Sequence, residues 1–192
     1  AGMIADEEKK NGWPQGTNNI ICAIESVKGL YNVREICHGP RMVAIALGAE
    51  DFIADIKTQR TKYGIELYFA RSTILMAARE AGIRCIDTVY SDVKDMETFR
   101  DEVTKIRDMG FDGKSCIHPK QIEVVHEIFT PTEKQIAHAV KVLASYADAV
   151  KNNKGVIAVD GKMIDGRIVV RAQLIVDAAR AAGIKVETEI KA

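Results

Sequence analysis

The sequence lacks an excess of either charge. Its 27 Lys and Arg residues are balanced by 27 Asp and Glu residues. No basic stripe stands out, which argues against a dedicated nucleic-acid surface. No apolar run reaches the ~18 residues that a membrane span requires. The opening residues, Ala1-Gly2-Met3-Ile4-Ala5-Asp6-Glu7-Glu8, do not have the basic-then-apolar form of a secretory signal. The expected location is therefore the cytoplasm, with neither membrane nor nucleic acid among the partners. Cysteine is scarce: Cys22, Cys37, Cys85 and Cys116 form no C-x-x-C pair. Their spacing fits no zinc or redox pattern. They are expected to be small core residues in a reducing compartment. Position 1 is not Met, and residues Met3 to Lys10 read as the end of a helix stopped by Asn11-Gly12. A chain opening inside an element is expected to be a piece of a longer one.

What is present is ordinary for a globular protein: 47% hydrophobic and 28% charged residues over a length of 192, enough for a sizeable core. The run Asn19 to Glu25 is almost wholly apolar and ends in an acid, as suits a parallel strand covered on both faces. Met42 to Gly48, Arg84 to Val89 and Lys114 to Ile117 predict three more strands. Helices are predicted over Val27 to Ile36, Glu66 to Ala81, Val93 to Met109 and Gln121 to Phe129, two of them stopped by Gly82 and Gly110. Four βα units in succession imply an α/β fold with a parallel sheet. Two architectures fit, a doubly wound sheet or a (β/α)8 barrel, and a barrel needs twice as many units as this chain has.

The remainder differs. Thr132, after Pro131, is the expected N-cap of a helix reaching Val150. Val156 to Ile164 then reads as a hairpin turning at Asp160-Gly161, and a last helix runs from Gly166 to Ala182. Residues 1–130 are therefore assigned to the sheet domain and 131–192 to a helix–hairpin–helix appendage.

Ligands of parallel α/β proteins bind at the carboxyl ends of the strands. Glu25 closes the first run, Asp51 follows the second after Gly48-Ala49-Glu50, and Asp87 lies in the third. Carboxylates on neighbouring strand ends form a hard oxygen site that suits Mg²⁺. A cation would also offset the cost of a charge at the end of an apolar run. Acids in these places equally fit helix caps, so spacing alone leaves both readings open. The Gly48 and Ala49 N–H groups could receive a substrate carboxylate where the next helix begins, or form a plain tight turn. Lys114, Ser115 and His118 fall near the pocket mouth. Lys114 reads as a solvated surface Lys, with a carrier phosphate as its alternative ligand, and His118 as a packed turn residue, with a catalytic base as its alternative. His38, His126 and His138 read as structural or exposed, and Trp13-Pro14 as a loop anchor.

Five segments together resemble the family of citrate lyase β subunits. Ile24 to Asn32 (IESVKGLYN) resembles its I-E-T-x-x-G-L-x-N segment, and Ala46 to Asp51 (ALGAED) matches its A-L-G-A-E-D segment. Arg60 to Arg71 (RTKYGIELYFAR), Gly110 to Pro119 (GFDGKSCIHP) and Gly161 to Asp165 (GKMID) resemble later segments in the same order. The resemblance implies a (β/α)8 barrel of the phosphoenolpyruvate-binding type, with the four βα units that precede Glu25 in the family absent here. It implies Mg²⁺ on Glu25 and Asp51; beside that pair, Gly48, Ala49 and Glu50 are expected to contact the substrate. It implies a C-terminal lid whose catalytic Asp165 reaches a neighbouring subunit of a homotrimer or hexamer. The Gly166-Arg167 pair departs from relatives that carry Pro soon after this Asp. The implied reaction is carbon–carbon cleavage of a citryl thioester, carried on acyl carrier protein or CoA, to oxaloacetate and an acetyl thioester. Other citrate lyase subunits are further expected partners. The alternatives are a malyl-CoA or citramalyl-CoA lyase of the same family, and a non-catalytic half-barrel.

Overall fold

The predicted apolar runs become strands in a computed structural model that describes residues 1–151 and 157–187. In chain order the elements begin α1 (Gly2–Lys10), β1 (Ile20–Ile24), α2 (Val27–Tyr31), α3 (Val33–Cys37), β2 (Met42–Leu47) and α4 (Ala49–Asp55). They continue with α5 (Ile65–Ala81), β3 (Arg84–Asp87), α6 (Met96–Met109), β4 (Gly113–Lys114) and α7 (Pro119–Phe129). The strands pair in parallel in the order β1-β2-β3-β4, so each new strand adds to the same edge. This is an α/β fold with a parallel sheet.

Alternation along the strands sorts the two faces. Ile24, Ile45, Leu47 and Cys85 are buried, as are Leu67, Ala70, Ile74 and Ala78 of α5 and Phe99, Val103 and Ile106 of α6. α5 packs on both β2 and β3. The opposite face carries the in-register row Ala23, Ala46 and Ile86. Ile21, two residues before Ala23 on β1, is 61% exposed.

Several expectations are corrected. The helix predicted over Val27 to Ile36 is two short helices meeting at Asn32, whose side chain bonds back to the Lys28 carbonyl at 2.7 Å. The helix expected from Val93 begins at Met96, because Asp95 accepts the Thr98 N–H at 3.0 Å and caps it. The fourth strand ends at Lys114, because the Ile117 N–H goes to the Gln121 side chain at 2.9 Å rather than to a neighbouring strand. Cys37 and Cys85 are core residues as expected, and burial pushes the Cys85 thiol up to about 12. Cys22 is only half-buried, and Cys116, beyond the short strand, is exposed. The Trp13 side chain is 53% exposed, and the segment is held through its backbone, the Trp13 N–H donating to the Glu8 carbonyl at 2.9 Å and the Pro14 carbonyl accepting the Thr17 hydroxyl at 2.6 Å. The anchor is Glu8, whose carboxylate takes Arg41 at 2.7 and 2.8 Å and the Gly16 and Asn18 N–H groups at 3.0 and 2.9 Å. Arg41 first, then those two amides, hold the Glu8 carboxyl down at about 2.

The chain divides into two compact units, Ala1–Ile128 and Phe129–Ala192. The second contains α8 (Glu133–Lys151), β5 (Ile157–Val159), β6 (Lys162–Ile164) and α9 (Gly166–Ala181). Val156, the predicted start of the hairpin, lies outside the described residues. Thr132 Oγ1 accepts the Gln135 N–H while the Gln135 side chain accepts the Thr132 N–H, a reciprocal start to α8. β5 and β6 pair antiparallel around Asp160 and Gly161, both at positive φ (51° and 74°), the conformation a two-residue hairpin turn requires. Val142, Leu143, Val159, Ile164 and Val176 form the core of this unit. Among the described residues, no helix is long and apolar enough to cross a membrane.

Candidate metal and substrate site

The carboxyl ends of β1, β2 and β3 open into a cleft of about 310 Å³. Glu25, Gly48, Ala49, Glu50 and Asp51 all line it, with Ala23, Ala46, Leu47, Thr88, Val89 and Ser115. The site residues expected from the first two strand ends are thus brought together. Roomier hollows of about 480 and 500 Å³ lie on the outer faces of the helices, lined by residues such as Leu30, Phe69 and Met76 or Tyr63, Ile65 and Tyr68.

Neither acid caps a helix. Ser26 caps α2, its hydroxyl accepting the Gly29 N–H at 3.1 Å, and the Val27 N–H goes to Asp55 at 2.7 Å. α4 begins at Gly48 with no side-chain cap, and Asp51 sits in its first turn. Glu25 lies across Gly48: a Cβ at that glycine would meet Glu25 Cγ at 2.3 Å and Oε1 at 2.7 Å. Glycine here is a matter of space, since its φ of −91° is open to any residue. Among the described residues, neither the Glu25 nor the Asp51 side chain has a hydrogen bond or an ion pair.

The N–H route expected for a substrate carboxylate is occupied. Gly48 donates to the Ile24 carbonyl at 2.9 Å and Ala49 to the Thr88 hydroxyl at 3.1 Å, so both amides are spent within the fold. Glu50 faces Arg60 at 3.6 Å.

Asp87 does not join the other two acids. It is fully buried and receives Arg71 through Nε at 2.8 Å and Nη2 at 2.9 Å, and Lys114 Nζ at 2.8 Å. Lys114 also donates to Glu102 at 2.7 Å and to the Thr88 carbonyl at 2.9 Å. Glu102 in turn takes Arg60 at 2.9 Å and lies 3.3 Å from Arg71. The side chain of Lys114 has no exposure at all, which overturns both the solvated and the phosphate-binding readings. Burial alone would push the Glu102 carboxyl up, but Lys114, Arg71 and Arg60 pull it down to about 2. Burial works to lower the Arg71 pKa, and Asp87 and Glu102 more than offset it, leaving it raised. Arg71 and Glu102 are legible in the sequence as charges on otherwise apolar helical stripes. Their partners stand too far away along the chain to be named from it.

His118 is a turn residue, its Nδ1 accepting the Lys120 N–H at 3.2 Å. In the second unit, Asp165 is the N-cap of α9, accepting the Arg167 and Ile168 N–H groups at 2.9 and 3.0 Å.

Glu25 and Asp51 suit a small hard dication. They offer oxygen donors only, have no protein cation to neutralise them, and border one cleft. Among the described residues, no three His, Cys, Asp or Glu side chains gather into a metal cage. A carboxylate pair is the usual protein share for Mg²⁺, which keeps water or substrate oxygens elsewhere in its shell.

A parallel α/β sheet with carboxylates at adjacent strand ends places them where proteins of this fold class hold their ligands. Residues 1–119 match HpcH/HpaI aldolase/citrate lyase, and the chain belongs to that family. It is 42% identical over 181 residues to the citrate lyase subunit beta of Escherichia coli K12, covering 94% of this chain and 60% of the relative. It is 33% identical over 150 residues to a (3S)-malyl-CoA thioesterase of Cereibacter sphaeroides, covering 78% and 53%. Among solved structures it is similar to the Mycobacterium tuberculosis protein CitE in complex with magnesium, acetoacetate and coenzyme A. The TM-score is 0.72 at 31% identity, covering 85% of this chain and 62% of the other. The chain thus spans about 60% of the length of the citrate lyase β subunit it matches.

Proposed function

We propose that this chain carries the metal-binding part of a Mg²⁺-dependent carbon–carbon lyase. The reaction is cleavage of a citryl thioester, on acyl carrier protein or CoA, to oxaloacetate and an acetyl thioester. The observation that carries this reading is the pair Glu25 and Asp51, free of protein partners at adjacent strand ends. It is supported by the family and by a relative described with magnesium, acetoacetate and coenzyme A.

In this reading the sheet β1–β4 is half of a (β/α)8 barrel. Glu25 and Asp51 hold the metal, which supplies Lewis-acid polarisation of the keto-acid oxygens when bound. Gly48 leaves the space in which Glu25 lies, and Ala49 and Glu50 form the wall beside the substrate carboxylate. The hydroxyl of the citryl group gives its proton to a base and the adjacent carbon–carbon bond breaks. The electron pair passes to the acetyl thioester carbon, which an acid protonates. Asp165 takes one of these two roles, in the site of a second copy within a homotrimer or hexamer, as part of a lid that keeps water out. The protein works in the cytoplasm, with other citrate lyase subunits as further partners.

The test is oxaloacetate release from a synthetic citryl thioester, with and without Mg²⁺, by the wild type and by Glu25→Gln and Asp51→Asn. Release that needs Mg²⁺ and falls by at least ~100-fold in each variant is expected. Metal-independent release, or release indifferent to both substitutions, overturns the reading. The malyl-CoA thioesterase relative favours a second substrate. Faster turnover of malyl-CoA in the same assay would move the assignment to that thioester.

A further inference from the structure

Thr88 joins the buried ionic cluster to the cleft, beside Arg60, which faces both Glu102 and Glu50. Thr88 follows β3 and is 2% exposed. Its carbonyl accepts Lys114 Nζ at 2.9 Å, and its hydroxyl accepts the Ala49 N–H at 3.1 Å. An ammonium has three N–H donors. Lys114 spends the other two on Asp87 and Glu102, both of them buried. Asp87 is held in turn by both arms of Arg71. The Thr88 carbonyl is therefore tied to a cation that is itself pinned on two sides.

The other end of the link is the start of α4. Ala49 is the first residue of that helix, is 1% exposed, and stands two positions before Asp51. Its N-cap residue, Gly48, offers no side chain to cap it. A buried N–H left without an acceptor is costly, so the Ala49 amide holds the first turn of α4 against Thr88. The side chain that meets this amide lies just past the end of the next strand, so the bond also fixes the spacing between the ends of β2 and β3.

We propose that Thr88 is a positioning residue for the metal site: anchored from below by Lys114, its hydroxyl fixes the first turn of α4 and so sets where Asp51 stands relative to Glu25. This rests on the assignment of Glu25 and Asp51 as metal ligands. In this role Thr88 acts through Ala49, whose N–H its hydroxyl accepts.

The test uses the full chain and Mn²⁺ as the probe, with free Mn²⁺ counted by electron paramagnetic resonance. Amide hydrogen exchange at Ala49 is followed by NMR in the metal-free protein. Thr88→Val keeps the shape and removes the acceptor; Thr88→Ser keeps the acceptor. Expected are roughly 10–100-fold weaker Mn²⁺ binding and faster exchange at Ala49 in Thr88→Val. Exchange across Ala44 to Leu47 of β2 should stay as in the wild type, and Thr88→Ser should restore both affinity and protection. Mn²⁺ bound through Glu25 and Asp51, and lost in Glu25→Gln and Asp51→Asn, but held equally by Thr88→Val, overturns this proposal alone. Unchanged Ala49 exchange in Thr88→Val does the same. A wild-type chain that does not bind Mn²⁺, or binds it without Glu25 and Asp51, overturns the metal assignment and this proposal with it.

Discussion

Gly48 has no room for a side chain. A Cβ at this position would stand 2.3 Å from Glu25 Cγ, too close for any real contact, so Gly48→Ala must push the Glu25 carboxylate out of its present place. The backbone there tolerates alanine, with φ at −91°, so the fold should survive. Mn²⁺ affinity is expected to fall by at least ~10-fold in Gly48→Ala, with a melting temperature close to that of the wild type. Equal affinity would mean that the position of Glu25 does not matter to the cation. Asp165 is open to a cleaner separation of roles. Its carboxylate is the N-cap of α9, and asparagine caps as well as aspartate does. Asp165→Asn should therefore keep stability while removing the carboxylate proposed to transfer the proton, and turnover should collapse. Asp165→Ala should lose turnover and also about 1 kcal/mol of stability. Full turnover in Asp165→Asn, measured as oxaloacetate release, would reduce this residue to a cap.

At the scale of elements, the strands are legible where the chain is most apolar. Ile20 to Ile24 and Met42 to Leu47 announce themselves by composition, and the acids that follow them line one cleft. What escapes sequence reading is long-range pairing. Lys114 reads as a surface residue because its partners, Asp87 and Glu102, stand 27 and 12 positions away. Asp87 reads as a third pocket acid because β3 ends there, and only folding reveals that Arg71 and Lys114 have claimed it. β4 is shorter than its composition suggests for a related reason: Ile117 is as apolar as a strand residue, but Gln121 takes its amide. The buried cluster that ties α5, α6, β3 and β4 together has a pH signature. The Glu102 carboxyl is held at about 2 against an ordinary 4.5, so the folded chain resists its protonation. The resulting stability is fully present above 4.5 and is lost as pH falls toward about 2. Urea melts between about pH 5 and 3 should show stability falling with pH, and Glu102→Gln should flatten that slope. A variant with the wild-type slope would assign the acid sensitivity to other pairs, such as Glu8 with Arg41.

The whole molecule poses a question that its parts do not. In the first unit, β1 and β4 each have a single neighbour in the sheet, and the face carrying Ala23, Ala46 and Ile86 also bears Ile21 at 61% exposure. Unpaired strand edges are templates for pairing with another chain, and proteins ordinarily cover or blunt them. In the barrel reading, the four βα units that precede β1 in the family would meet both edges at once and roof this face. The 192 residues by themselves are then expected to elute in size exclusion well above their 21.1 kDa, with a size that rises with concentration. They should also bind a dye that reports exposed apolar surface. Adding, as a separate polypeptide, the stretch that precedes this region in a family member should suppress both effects, because closing the sheet removes edges and open face together. A concentration-independent monomer that binds no dye would show that the sheet is complete as it stands, and the half-barrel reading would fall even if the metal pair stood.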